Sequence, residues 1–187
     1  MLISRRAPPG GKVFGRFLLF SLALVLSASA QPSLAEDAAS TLTRLADRAQ
    51  IEDMLVDYYG QLGSGRHDFG AFYVEEGVLD VNGLVAQGRQ GIEDLYKKLS
   101  EGTPRRQGTF RMLLTNPRIV VKGDTATADV IWTGVISETV TAEPRIVEQG
   151  REHDELVKRN GHWYFKRRVI TADGGLPAIF EKTPKPQ

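Results

Sequence analysis

The chain has 187 residues, with 24 Lys and Arg against 23 Asp and Glu, 41% hydrophobic residues and no cysteine. That length and composition fit one globular domain and exclude a wholly disordered chain. The missing cysteine excludes disulfides, thiolate nucleophiles and zinc–thiolate centres, and three histidines leave little for a histidine-rich metal site.

The near balance of charge hides an asymmetry. Residues 1–35 hold Arg5, Arg6, Lys12 and Arg16 and no acidic residue, leaving 20 basic against 23 acidic residues in 36–187, a net charge of −3. A mildly acidic body attracts neither nucleic acid nor an anionic membrane, so no nucleic-acid partner is expected. The first 35 residues read as an export signal: a basic stretch ending at Arg16, the apolar run Phe17–Leu26, then small residues ending in Ala28-Ser29-Ala30. Cleavage after Ala30 or Ala35 fits this pattern. The apolar run is too short for the ~20 residues that span a bilayer, so no stable membrane insertion is expected after cleavage. Arg5-Arg6 is followed by Ala-Pro-Pro-Gly-Gly, which points to Sec-type rather than twin-arginine export. The expected destination is the periplasm or the medium.

Next, Ser40 or Thr41 is placed to cap a helix running to Leu62, with Ile51, Met54, Leu55, Tyr58 and Leu62 on one face and Asp47, Arg48, Glu52 and Asp53 elsewhere. Gly63-Ser64-Gly65 ends it. A short helix is expected over 68–75. Asn82-Gly83 between Val78–Val81 and Leu84–Gln87 is a two-residue hairpin turn. A third helix is read over Gln90–Ser100. From Arg106 the period changes. Strands are expected over Thr109–Val121, Thr125–Thr139, Arg145–Arg159 and Trp163–Ile170, rich in β-branched and aromatic residues and joined mostly by short turns. Helices first and an antiparallel meander second make an α+β domain over 36–173. Residues 174–187 form a proline-containing tail.

In this order and spacing, Leu45–Asp53, Tyr59, Phe69–Asp80, Gly88–Ile92, Thr115-Asn116-Pro117, Gly123–Ala128, Asp154–Lys158 and Gly161–Arg168 resemble the nuclear transport factor 2-like superfamily in its SnoaL-like branch. The resemblance implies a cone: a strongly curved, mostly antiparallel sheet wrapped around a long N-terminal helix, with two further short helices and an apolar pocket inside. Its relatives include polyketide cyclases, ketosteroid isomerase-like and scytalone dehydratase-like enzymes, a dehydrochlorinase and members without known activity. The enzymes work by cofactor-free acid–base chemistry, so no cofactor and no metal are expected, and a homodimer is implied. In the dehydratase- and dehydrochlorinase-like members an Asp after the first helix orients a His on the first long strand. Gly63 and Met112 stand at those positions here, and neither accepts a proton.

Other groups remain. If Met112 faces the pocket, strand parity brings Phe110 and Leu114 to the same wall, either as pocket lining or as plain core. Glu152, Asp154 and Leu156 share one face of their strand, with His153, Glu155 and Val157 on the other. The resemblance turns the Asp154 face inward and matches Arg168 to an arginine that lines the cavity in some relatives. Inward carboxylates need partners, from Arg168, Arg111 or a tyrosine. Such a cluster is either a general base with an anion stabiliser or a structural ion-pair network. Tyr58 or Tyr59 could donate to a substrate carbonyl or simply satisfy a buried hydroxyl. His67 sits in the loop after the helix, as a lid residue or a solvated histidine. Trp132 is core or pocket lining. Asn116, before Pro117, bends the strand or bonds a ligand. Two readings follow: a small apolar ligand bound in the cone, or a cofactor-free lyase or isomerase acting on an apolar carbonyl or hydroxyl compound.

Overall fold

Two-residue turns close three of the sheet's hairpins, and each has a left-handed backbone position. Asn82-Gly83 (φ 50° and 86°) and Asn160-Gly161 (φ 52° and 82°) have positive φ at both central positions, the conformation of a type I′ turn that matches strand twist. Gly123-Asp124, with Gly123 at φ 59°, makes the third. A computed structural model describes residues 34–62, 68–102 and 108–175. Residues 1–33 of the proposed leader, Gly63, His67 and most of the tail lie outside the described residues.

In chain order the elements are α1 (Leu34–Gln61), a single 3-10 turn (Gly70–Phe72), β1 (Tyr73–Val81), β2 (Leu84–Gln87), α2 (Gly88–Gly102), β3 (Thr109–Lys122), β4 (Thr125–Ser137), β5 (Arg145–Arg159) and β6 (His162–Ala172). One curved, unclosed six-stranded sheet runs β2-β1-β6-β5-β4-β3, antiparallel throughout except for the parallel β1–β6 pair. The α+β class and the helix-then-meander order are as read from the sequence.

Two boundaries differ. The helix does not start at a cap on Ser40 or Thr41: the Ser40 hydroxyl donates to the Asp37 carbonyl and the Thr41 hydroxyl accepts from Arg44 Nη2, both within α1, which begins at Leu34. The short helix expected over 68–75 is only the 3-10 turn. From Tyr73 the chain is already in β1, because β6 offers it a parallel partner from Phe165 to Ile170.

Ile51, Leu55 and Tyr58 of α1 and Ile92, Leu95 and Tyr96 of α2 pack onto the inner face of the sheet, against Leu79, Ala128, Val130, Leu156 and Phe165. Asp47, expected on the solvated side of α1, is buried. Its Oδ1 accepts from Lys158 Nζ at 2.6 Å and from Trp163 Nε1 at 3.1 Å, fastening the helix across the last hairpin.

Two β-bulges decide which side chains enter the cone. In β6, Glu155 opposes Arg167 while Leu156 opposes Phe165, so Lys166 is an extra residue. Trp163 and Phe165 point inward before it, Arg168 and Ile170 after it, and Lys166 and Arg167 are both exposed. In β3, Thr115 opposes Ile131 and Arg118 opposes Asp129, which leaves one extra residue beside Asn116 at φ 52°. Inward residues switch there from Phe110, Met112 and Leu114 to Ile119 and Val121.

Candidate functional site

At the floor of the cone the pleat of β5 turns Glu152 and Asp154 inward, and register places Asp154 directly opposite Arg168 of β6. All three are buried, Asp154 and Arg168 with no exposed surface at all. Arg168 Nη2 and the Tyr59 hydroxyl both donate to Glu152 Oε2. Arg168 Nε lies 3.3 Å from Asp154 Oδ1, close enough for charge pairing but not aligned as a hydrogen bond. The guanidinium is sandwiched by rings, its carbon 4.0 Å from the Tyr58 centroid, 4.4 Å from Phe165 and 5.0 Å from Tyr59. Cation–π attraction therefore offsets part of its desolvation.

Burial pushes the Asp154 carboxyl well above the usual carboxylate range. Arg168 opposes that shift and the neighbouring Glu152 charge reinforces it. For Arg168, desolvation lowers the pKa, but Glu152 and Asp154 outweigh it, so the guanidinium stays charged. One cation faces two carboxylates, and of these it is the Asp154 carboxyl that burial pushes toward the protonated form.

Above this floor sits a tyrosine cluster. The Tyr58 hydroxyl bonds that of Tyr96, and lies 3.3 Å from that of Tyr73. Phe69 stacks on Tyr96 with centroids 3.9 Å apart. Burial raises the pKa of Tyr58, Tyr59, Tyr73 and Tyr96 well above 10.0. These phenols stay protonated and can donate, but none is a base near neutral pH.

Among the described residues, six buried polar atoms at the floor have no hydrogen-bond partner: Trp132 Nε1, Glu152 Oε1, both Asp154 oxygens, and Arg168 Nε and Nη1. Such atoms are costly to leave unpaired, by roughly 1–3 kcal/mol each. Donors and acceptors both remain open, an arrangement that suits a polar group with both capacities. Among the described residues no group of three or more His, Asp or Glu could hold a metal ion.

Of the residues singled out from sequence, Tyr58, Tyr59, Glu152, Asp154 and Arg168 come together at the floor, and Trp132 is buried against Gly150, whose Cβ would lie 2.3 Å from its ring. Phe110, Met112 and Leu114 share the inner face of β3 and are half-buried. Arg111, considered as a partner for the carboxylates, is exposed on the opposite face and takes no part. Asn116 is exposed at the β3 bulge, away from the floor. His67 lies outside the described residues. Sequence reasoning missed Tyr73, which it placed in a helix, and gave no role to Tyr96, although Tyr96 lies on the apolar stripe of α2 with Ile92, Leu95 and Leu99.

The SnoaL-like domain family matches residues 43–169. A search of curated protein sequences finds no match. Several solved structures share the fold. A Nostoc punctiforme protein of unknown function with a cystatin-like fold is 22% identical, covering 71% of this chain and 95% of that one, with a TM-score of 0.61. A nuclear transport factor 2-like protein from Novosphingobium aromaticivorans is 23% identical over 75% and 90% of the two chains, with a TM-score of 0.59. A candidate scytalone dehydratase from the same organism is 23% identical over 71% and 87%, with a TM-score of 0.58. With its curved sheet around α1 and a family match that spans most of the domain, the chain belongs to the SnoaL-like family of nuclear transport factor 2-like folds.

Proposed function

We propose that this is an exported small-molecule-binding protein, a homodimer that takes a largely apolar ligand into its cone and recognises the ligand's polar group at the floor. The six unpartnered polar atoms carry this reading. A hydroxyl seated there accepts from Arg168 Nη1 or Trp132 Nε1 and donates to Glu152 Oε1, while a carbonyl accepts from the same donors. Aromatic rings from Tyr58, Tyr59 and Phe165 supply apolar contact above. The leader-like residues 1–35 support export, and the absence of His at Met112 argues against the dyad mechanism of the dehydratase-like relatives.

One observation favours a second reading, a cofactor-free lyase or isomerase. A neutral Asp154 beside a fixed guanidinium can hand a proton to a substrate oxygen while Arg168 stabilises the developing charge.

The test takes the protein as recovered from its expressing cell, incubates it with an extract of small apolar metabolites, and measures protein-bound and free masses together. A bound, unchanged compound, retained more weakly by Tyr59→Phe and Asp154→Asn, is the expected result for a binder. A product differing by water or by isomerisation, and lost in Asp154→Asn, selects the enzyme. Neither a bound mass nor a product would retire the cone as a ligand site.

A further inference from the structure

Helix α1 carries two apolar faces, and the cone uses one of them. Ile51, Leu55 and Tyr58 face the sheet and are buried. On the far side of the helix stand Ala38, Leu42, Leu45, Ala49, Glu52 and Val56, separated by steps of four, three, four, three and four residues. That alternation averages about 3.5 residues per turn, the spacing of the a and d positions in a seam between two supercoiled helices. The seam is open: Leu42 is 67% exposed, Leu45 58% and Val56 60%. Burial on the helix begins only at Asp47, and every residue from Glu36 to Ala46 is exposed. About three turns therefore extend past the core, which supplies no apolar cover for Leu42 and Leu45.

The residues of the seam indicate what covers it. Glu36, Asp37, Glu52 and Asp53 outnumber Arg44 and Arg48, a balance that does not suit an anionic lipid surface. Cleavage after Ala30 or Ala35 removes the proposed leader and keeps the seam from Ala38 onward. A second α1 fits, and in one direction. In a parallel pair Glu52 would meet its own copy inside the seam, like charge against like. In an antiparallel pair Leu42 lies opposite Leu45 of the second copy, and Ala38 opposite Ala49 of the second copy. Glu52 then falls at the end of the overlap, opposite position 35 and away from its own copy. The same register brings Asp37 of one helix within a turn of Arg48 of the other.

We propose that the outward seam of α1 is a self-association site, at which two copies of the chain pair antiparallel through Leu42 and Leu45. It lies apart from the sheet, so it adds a contact to the homodimer proposed above and does not depend on it.

Sedimentation equilibrium of the protein recovered from its expressing cell, over a range of concentrations, reads the assembly in the wild type and in Leu42→Lys/Leu45→Lys. Both leucines are exposed, so the variant should keep the near-ultraviolet circular dichroism of the buried aromatic residues. The expected result is the loss of one twofold step, with its dissociation constant raised about a hundredfold or more. A tetramer that falls to a dimer leaves the homodimer standing on another face. A dimer that falls to a monomer supports the helix contact and removes any pairing elsewhere. Because the chain has no cysteine, direction can be read by disulfide formation. Ala38→Cys and Ala49→Cys proteins, mixed and mildly oxidised, should cross-link to each other in preference to themselves. Three results would overturn the proposal: a wild-type monomer at every concentration, an assembly unchanged in the lysine variant, or Ala49→Cys cross-linked preferentially to its own copy.

Discussion

Asp154 and Arg168 show how a buried charge cluster sets its own protonation. Transfer from water penalises each ion, and the guanidinium repays it for only one carboxylate in full. Glu152 receives two donors on one oxygen, while Asp154 faces Arg168 without an aligned hydrogen bond. The Asp154 pKa is therefore raised, and the consequence for stability has a definite sign. A carboxyl that holds its proton more tightly folded than unfolded contributes fully below the unfolded Asp value of ~4. That contribution is lost as pH rises through the raised folded value. Asp154→Asn keeps the neutral shape at every pH, so its stability relative to wild type should increase as pH is raised above ~4 and level off beyond the folded pKa. Urea midpoints of both proteins measured across that range check this. A constant difference would mean that Asp154 is already ionised in the native state. Asp47 carries a complementary lesson: its place on α1 says nothing of the Lys158 and Trp163 donors that come from the far end of the chain.

Among the secondary-structure elements, β4 and β5 are held together where glycine makes room for a ring. Trp132 opposes Gly150, and a Cβ on Gly150 would lie 2.3 Å from both the Trp132 ring and the Thr171 carbonyl oxygen. Backbone cannot retreat from such a clash, so Gly150→Ala should cost about 3 kcal/mol or more, at or beyond the upper end of ordinary overpacking. Gly91 offers the contrast. It lies within α2 with nothing within 4 Å of an added Cβ, and Gly91→Ala should stabilise by about 0.5–1 kcal/mol through helix propensity and a less disordered unfolded chain. Thermal or chemical denaturation of the two variants side by side reads both signs. The bulges matter at this scale as well: one extra residue in β6 delivers Arg168 to the cone, and one in β3 turns Arg118 to the outer face of the sheet.

For the whole molecule, the sheet divides two chemistries. Its inner face holds aromatic rings around buried charged groups, and its outer face carries solvated ion pairs such as Arg167–Asp80 and Lys166–Glu155, at 3.6 and 3.9 Å. No helix among the described residues is long and apolar enough to cross a membrane. If the leader is removed on export, the intact mass of the protein recovered outside the cytoplasm should correspond to a start at Gln31 or Glu36. A mass that retains residues 1–30 would point to anchoring instead.

Much of this fold was legible in local patterns. The helical stripe of Ile51, Leu55 and Tyr58, the Asn-Gly turns and the alternation that turns Glu152 and Asp154 to one face are all short-range, fixed by 3.6- and 2-residue periods and by positive φ at two turns. Five of the six strands lie close to their expected bounds for that reason. What alternation cannot reveal is where an extra residue interrupts it, since a bulge leaves the same residue types in sequence and reverses every side chain beyond it. Arg168 reached the cone in the reading of the sequence only through a family resemblance, and Arg118 was not noticed at all. Likewise Tyr73 was assigned to a helix, because its strand exists only by pairing with β6, almost a hundred residues later. The sequence by itself determined the elements and their faces. Tertiary structure decided which faces meet, because burial of charge and strand pairing are set by partners distant in the chain.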